Sequence, residues 1–158
     1  MLDNTIIVGV DPGSARSDPG AYALKMGSRE PEVVSWSDYF DAIEFIERLR
    51  GYQLNGEKVI VFLEEIHSYR TNTDSLLKNY GFWEGIILAH GLTLRTVPPT
   101  KWQHAVLPRK YVQKKGHKYV DDRPAKKKYM EAARKKWPDQ DLKPVKDSGR
   151  AAALWIME

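Results

Sequence analysis

Two short apolar runs, Thr5-Ile6-Ile7-Val8-Gly9-Val10 and Val59-Ile60-Val61-Phe62-Leu63, each stop at carboxylates, Asp11 in the first case and Glu64-Glu65 in the second. Runs of this length and β-branched content read as strands covered by other elements. A charge cannot stay unpaired in such an interior, so the chain must surface, or meet a ligand, where each run ends. Between the runs, Gly20 to Met26 reads as a hairpin partner of the first strand and Val33 to Trp36 as a third strand. A helix from about Asp38 carries Phe40, Ile43, Ile46 and Leu49 at helical spacing, and Gly51 is expected to stop it. After the second run, Thr73 or Asp74 can cap a helix reaching Ala89, followed by a strand from Leu92 to Val97 that Pro98-Pro99 break. A short helix from Thr100, a basic loop, a basic helix from Ala125 to Trp137 and a last helix from Ser148 to Met157, N-capped by Asp147, complete the chain. The order βββαβαβα with late helices predicts an α/β fold whose mixed sheet joins an antiparallel opening to parallel crossovers. Asp11 and Glu64 then meet at the C-terminal strand ends, where open α/β sheets build their ligand sites.

The 158 residues suit one compact domain, 1–158, with a core large enough to need no covalent staple. Having no cysteine, the chain offers only carboxylates and histidines as metal ligands, which favours hard cations. The N-terminal apolar run is too short for a signal peptide or a membrane span, so a cytoplasmic location and no membrane partner are expected. The net charge of +4 is unevenly spread. Residues 1–100 hold 9 Lys/Arg against 14 Asp/Glu, a balance of −5, whereas residues 107–136 hold 12 against 3, a balance of +9. Such a block is the footprint of a phosphate-rich ligand, with a solvated surface as the competing reading.

Carboxylates at two strand ends and a third at a helix start, Asp147, would gather negative charge around one point that a cation must hold. Oxygen ligands without sulfur point to magnesium or manganese. Two such ions ~4 Å apart activate water and stabilise the leaving oxygen in phosphodiester hydrolysis. The competing reading leaves each acid as a helix cap or strand terminus. His90, His104 and His117 stand at no metal-ligand spacing and read as structural or surface groups.

Over most of its length the chain resembles the RuvC family of Holliday-junction resolvases, their phage-encoded branch especially. Ile7-Val8-Gly9-Val10-Asp11-Pro12-Gly13 is similar to the family's opening signature, in which the first metal-binding aspartate ends strand one. Phe62-Leu63-Glu64-Glu65-Ile66-His67 is similar to its second block and selects Glu64, with Gly81 and Gly85 falling where the next helix has glycines. Val97-Pro98-Pro99-Thr100-Lys101-Trp102 resembles a third segment, and the basic helix ending at Trp137-Pro138 a fourth. The resemblance implies a ribonuclease-H-like fold and a homodimeric endonuclease nicking opposed strands of a four-way junction. It also implies about two Mg2+ or Mn2+ ions per site on Asp11, Glu64 and Asp147. It places Lys101 and Lys126 or Lys127 near the scissile phosphate, and His67 and Tyr69 near bases at the crossover. Tyr111, Tyr119 and Tyr129 interleave with the basic residues as stacking or hydrogen-bonding groups.

The last block, Lys146-Asp147-Ser148-Gly149-Arg150-Ala151-Ala152-Ala153-Leu154, resembles the helix that supplies the third and fourth acids, yet only Asp147 is acidic. Depending on register the missing acid falls at Arg150 or Ala152, and the pattern Gly-Arg-Ala-acid-Ala-Leu favours Ala152. Glu158 lies about three helical turns, ~16 Å, from Asp147, too far to share an ion. Inactivation by substitution at Ala152 is the favoured reading, beside a natural three-carboxylate site and a lost chemistry. An acid restored at 152 is expected to restore nicking with little change in melting temperature. The rival functions are a catalytically silent junction-binding protein and a ribonuclease-H-like nuclease acting on another branched or flap DNA.

Overall fold

The computed structural model describes residues 4–15, 18–66, 74–106, 110–114, 117–121, 126–143 and 147–158; for 14–15, 18–19, 110–114, 117–121 and 126–127 it describes the backbone alone. The chain opens with three strands, β1 (Thr5–Ala15), β2 (Asp18–Met26) and β3 (Glu32–Ser35). It continues through α1 (Tyr39–Leu54), β4 (Lys58–Glu64), α2 (Asp74–Ala89), β5 (Thr93–Val97) and α3 (Pro99–Val106). A hairpin of β6 (Lys110–Lys114) and β7 (His117–Asp121), then α4 (Lys126–Lys136) and α5 (Ser148–Met157), close it. The five-stranded sheet has the order β3-β2-β1-β4-β5. β2 is antiparallel to both β1 and β3, while β1, β4 and β5 run parallel. This is the mixed α/β architecture expected from the order of elements.

Alternation along the strands gives the sheet two buried faces. Ile6, Val8 and Val10 of β1 and Val59, Val61 and Leu63 of β4 pack under α1 and α2 with Phe45, Ile46, Leu49, Trp83 and Ile87. On the other face Ile7, Phe62, Ala21, Ala23 and Val33 meet Trp102, Tyr129, Met130 and most of α5. The small side chains there are a geometric requirement. A Cβ at Gly9 would lie 2.2 Å from the Ala153 carbonyl oxygen and 2.6 Å from the Met157 nitrogen, so α5 crosses β1 on bare backbone.

Four expectations need correction. β1 does not stop at Asp11; it runs on to Ala15, paired with β2 through an irregularity between Gly13 and Ala15. Gly51 does not end α1, which runs on to Leu54; the chain turns at Gly56, whose φ of +89° favours a residue without Cβ. The stretch read as a basic loop contains the β6–β7 hairpin, pairing Tyr111 with Val120 and Val112 with Tyr119. Asp147 occupies the N-cap position of α5 without capping it through its side chain.

The substitution Gly9→Ala should therefore cost about 3 kcal/mol in urea unfolding, because both clashing groups are helix backbone and cannot swing aside. Gly51→Ala, exposed and with open space around the new methyl group, should stabilise by ~0.5–1 kcal/mol in the same measurement.

Candidate nuclease site at the strand ends

β1 and β4 pair in register with Val10 opposite Leu63, so the next residues, Asp11 and Glu64, follow side by side on neighbouring parallel strands. Partner residues on paired strands share a face. Asp11 lies opposite Ala21, and Glu64 opposite Val97; both neighbours belong to the cluster under α5, which fixes the two carboxylates on that face. Glu65 turns to the opposite face. There burial first, then the charges of Glu84 and Glu65, raise the pKa of the α2 residue Tyr80.

Each carboxylate is held. Asp11 Oδ1 accepts the Gly13 amide at 2.9 Å. The Gly13 carbonyl in turn accepts from Asn79 Nδ2 at 3.2 Å, and Asn79 Oδ1 accepts from the Tyr39 hydroxyl at 3.2 Å, so the first turns of α1 and α2 anchor the segment after Asp11. Glu64 Oε2 accepts from the indole Nε1 of Trp102 at 2.9 Å. Trp102 is buried on α3 and packs edge-on against Tyr129 at 5.2 Å between ring centroids. Sequence reasoning singled out Lys101 and passed over its neighbour. The indole, a donor with no acceptor capacity, suits only an oxygen of the kind Glu64 presents.

Asp147 has other commitments. Its Oδ2 accepts the Lys143 amide at 2.6 Å and stands 3.5 Å from Arg150 Nη1. Arg150 Nη2 donates to the carbonyls of Val33 at 3.4 Å and Gln140 at 3.3 Å, which draws this end of α5 toward β3, two strands from β1. Among the described residues no group of three or more His, Cys, Asp or Glu side chains is placed to hold a metal ion. Asp11 and Glu64, next to one another after the last paired residues of β1 and β4, carry carboxylate oxygens of the kind a hard divalent ion takes.

Ala152 is 3% exposed within the apolar cluster that includes Trp102 and Tyr129. Arg150, three residues after Asp147, shares its helical face, whereas position 152 is turned well away from it. Of the two positions that the resemblance leaves for a fourth acid, Arg150 is the one that lies a single turn from Asp147.

Lys101 is exposed on α3. Lys126 and Lys127 open α4, but their side chains, like His67 and Tyr69 entirely, lie outside the described residues. Further along α4, Lys128, Arg134, Lys135 and Lys136 are exposed. Tyr129 is not the accessible stacking group expected: it is buried against Trp102, and its carbonyl accepts from Trp155 Nε1 at 3.1 Å.

No family model matches the chain, and no curated protein matches it. Solved structures do. It superposes on Thermus thermophilus RuvC with a TM-score of 0.53 and 17% identity, covering 96% of this chain and 92% of that one. On T. thermophilus RuvC in complex with a Holliday junction substrate the TM-score is 0.52 at 16% identity, over 96% and 91%. The chain thus has the RuvC, ribonuclease-H-like fold.

The two readings of the missing acid separate in a stability measurement. Ala152→Asp should cost on the order of 3 kcal/mol, because it buries a carboxylate among apolar side chains. Arg150→Asp, on a half-exposed turn, should cost about 1–2 kcal/mol. Equal losses in urea unfolding would return the fourth position to Ala152.

Proposed function

We propose that this protein is a structure-selective endonuclease that hydrolyses phosphodiester bonds in branched DNA, four-way junctions first among them. The observation that carries the reading is the pair of carboxylates, Asp11 and Glu64, at adjacent parallel strand ends of a RuvC-like sheet. The solved relative bound to a Holliday junction supports the substrate class. Asp11 and Glu64 would hold a magnesium or manganese ion, which when bound lowers the pKa of water and polarises the phosphate. The chain's own part is positional. The Gly13 amide orients Asp11, Trp102 orients Glu64, and the covered α5 face keeps bulk water from one side of the pair. A second ion, as in two-ion hydrolysis, requires Asp147 to leave Arg150.

Lys101, Lys126 and Lys127, with the exposed cations of α4, would contact phosphates and set register on the DNA. The protein would act in the cytoplasm as a homodimer; no helix among the described residues is long and apolar enough to cross a membrane. The exposed stripe of Leu77, Gly81, Gly85 and Leu88 on α2 offers a self-complementary face for the second copy. Sedimentation velocity of the Leu77→Lys, Leu88→Lys double variant should then show a monomer where the parent shows a dimer.

One observation favours a second reading, a junction-binding protein without chemistry: the Arg150 guanidinium stands beside Asp147 at one of the two positions where the resemblance would place a fourth acid. Nicking of a labelled junction in magnesium decides between them. An active parent should lose about a thousandfold or more in rate in Asp11→Asn and Glu64→Gln while still binding the junction. A parent that binds but does not nick, and gains nicking in Arg150→Asp, would establish the silent form. Independently, Lys126→Ala with Lys127→Ala should flatten the salt dependence of binding by up to about two phosphate contacts, ~0.9 each on duplex DNA. An unchanged slope would leave both lysines as ordinary surface charge.

A further inference from the structure

On the α5 face, lined by neither Asp11 nor Glu64, lies a groove of about 490 Å3. Phe62 and Val97 of the sheet form its floor, Trp102, Ala105 and Val106 of α3 one wall, and Trp155 of α5 the other. Three features set it apart from a packing defect. Its lining is mostly apolar although it is open, with a few charged side chains at its rim, which is the composition of a ligand groove. Its rim is cationic. Lys101 and Lys136 line it, and Arg95, exposed and opposite Phe62 on β5, points to the same face. The one acid lining it among the described residues, Glu158, is already engaged by Lys136 at 2.7 Å and Lys25 at 3.6 Å, contacts that lower its pKa, the Lys136 bond first. Third, β5 is the last strand of the sheet, so its outer backbone edge lies beside the groove with no strand paired to it among the described residues.

An apolar slot with a cationic rim along a sheet edge is complementary to one kind of occupant. We propose that it docks an extended acidic segment of a partner protein, whose bulky apolar side chain enters between Trp102 and Trp155. The acidic residues of that segment would lie against Arg95 and Lys101, and its backbone would run beside β5. Nucleic acid is the less suited ligand. Phosphates gain nothing from the apolar floor, and the trapped base would leave its polar edges unpaired there. The groove stands on its own geometry and does not depend on junction cleavage.

The test uses the full chain and a fluorescein-labelled acidic peptide with a central Leu-Phe pair, read by fluorescence polarisation. Binding is expected at micromolar concentration. It should weaken about tenfold or more when Ser-Ser replaces Leu-Phe, and again in the variants Ala105→Asp and Arg95→Glu. Ala105 is exposed, so its substitution should leave the melting temperature unchanged, and junction binding should also be retained. Three results would overturn the proposal: no binding up to ~1 mM, equal binding of a charge-reversed lysine peptide, or binding indifferent to Ala105→Asp. Displacement of the peptide by a single-stranded oligonucleotide, with loss of oligonucleotide binding in Ala105→Asp, would assign the groove to DNA and overturn it too.

Discussion

The parallel pairing of β1 with β4 carries more of this structure than any other contact, because one register decides two unrelated things. On one face it aligns Val8 with Val61 and Val10 with Leu63, all fully buried beneath α1 and α2. On the other it leaves Asp11 and Glu64 as neighbours. Period-two alternation ties these outcomes together: a slip of one residue in either strand would drive that strand's carboxylate into the layer under α1 and α2 and lift its apolar side chains out of it. The core therefore protects the site's geometry, since any strand shift that separated the acids would first have to bury a charge.

The opposite layer is governed by closeness. α5 lies against Gly9, Ala21 and Ala23, and it does so by bringing helix backbone onto strand backbone. That contact fixes the helix in rotation as well as height, and rotation distinguishes the two positions weighed for the missing acid. Position 152 faces packed aromatic rings, while 150 faces the segment that holds Asp147. A carboxylate at the second could reach its neighbour one turn away; at the first it would need the layer to open.

Much of this was legible in the residues themselves. β4 ended at Glu64 where its apolar run met the carboxylate, whereas β1 ran on past Asp11 to Ala15, and α2, α3, α4 and α5 all fell within a residue or two of the spans that spacing, prolines and caps predict. What escaped was information not carried by local pattern. Gly51 looks like a helix stop because glycine costs about 1 kcal/mol in a helix, yet the packing of Phe45, Ile46 and Leu49 outweighs it. The β6–β7 hairpin hid among lysines, although Tyr111-Val112 and Tyr119-Val120, spaced about a central Lys115-Gly116, were the available signal. The engagement of Asp147 by Arg150 and of Glu64 by Trp102 are choices between partners made in three dimensions. Nothing in a linear reading ranks an indole 38 residues away above a nearby lysine.

That indole has a consequence of a different kind. Trp102 is at once a wall of the apolar groove and the donor that holds Glu64. Two places on the surface thus share one side chain, and sharing is thermodynamically symmetric. Any molecule in the groove whose affinity depends on whether the Trp102–Glu64 bond is made must change, by the same factor, how strongly Glu64 holds its own ligand. The reverse holds equally, so the strand end and the groove could report each other's occupancy through a single hydrogen bond.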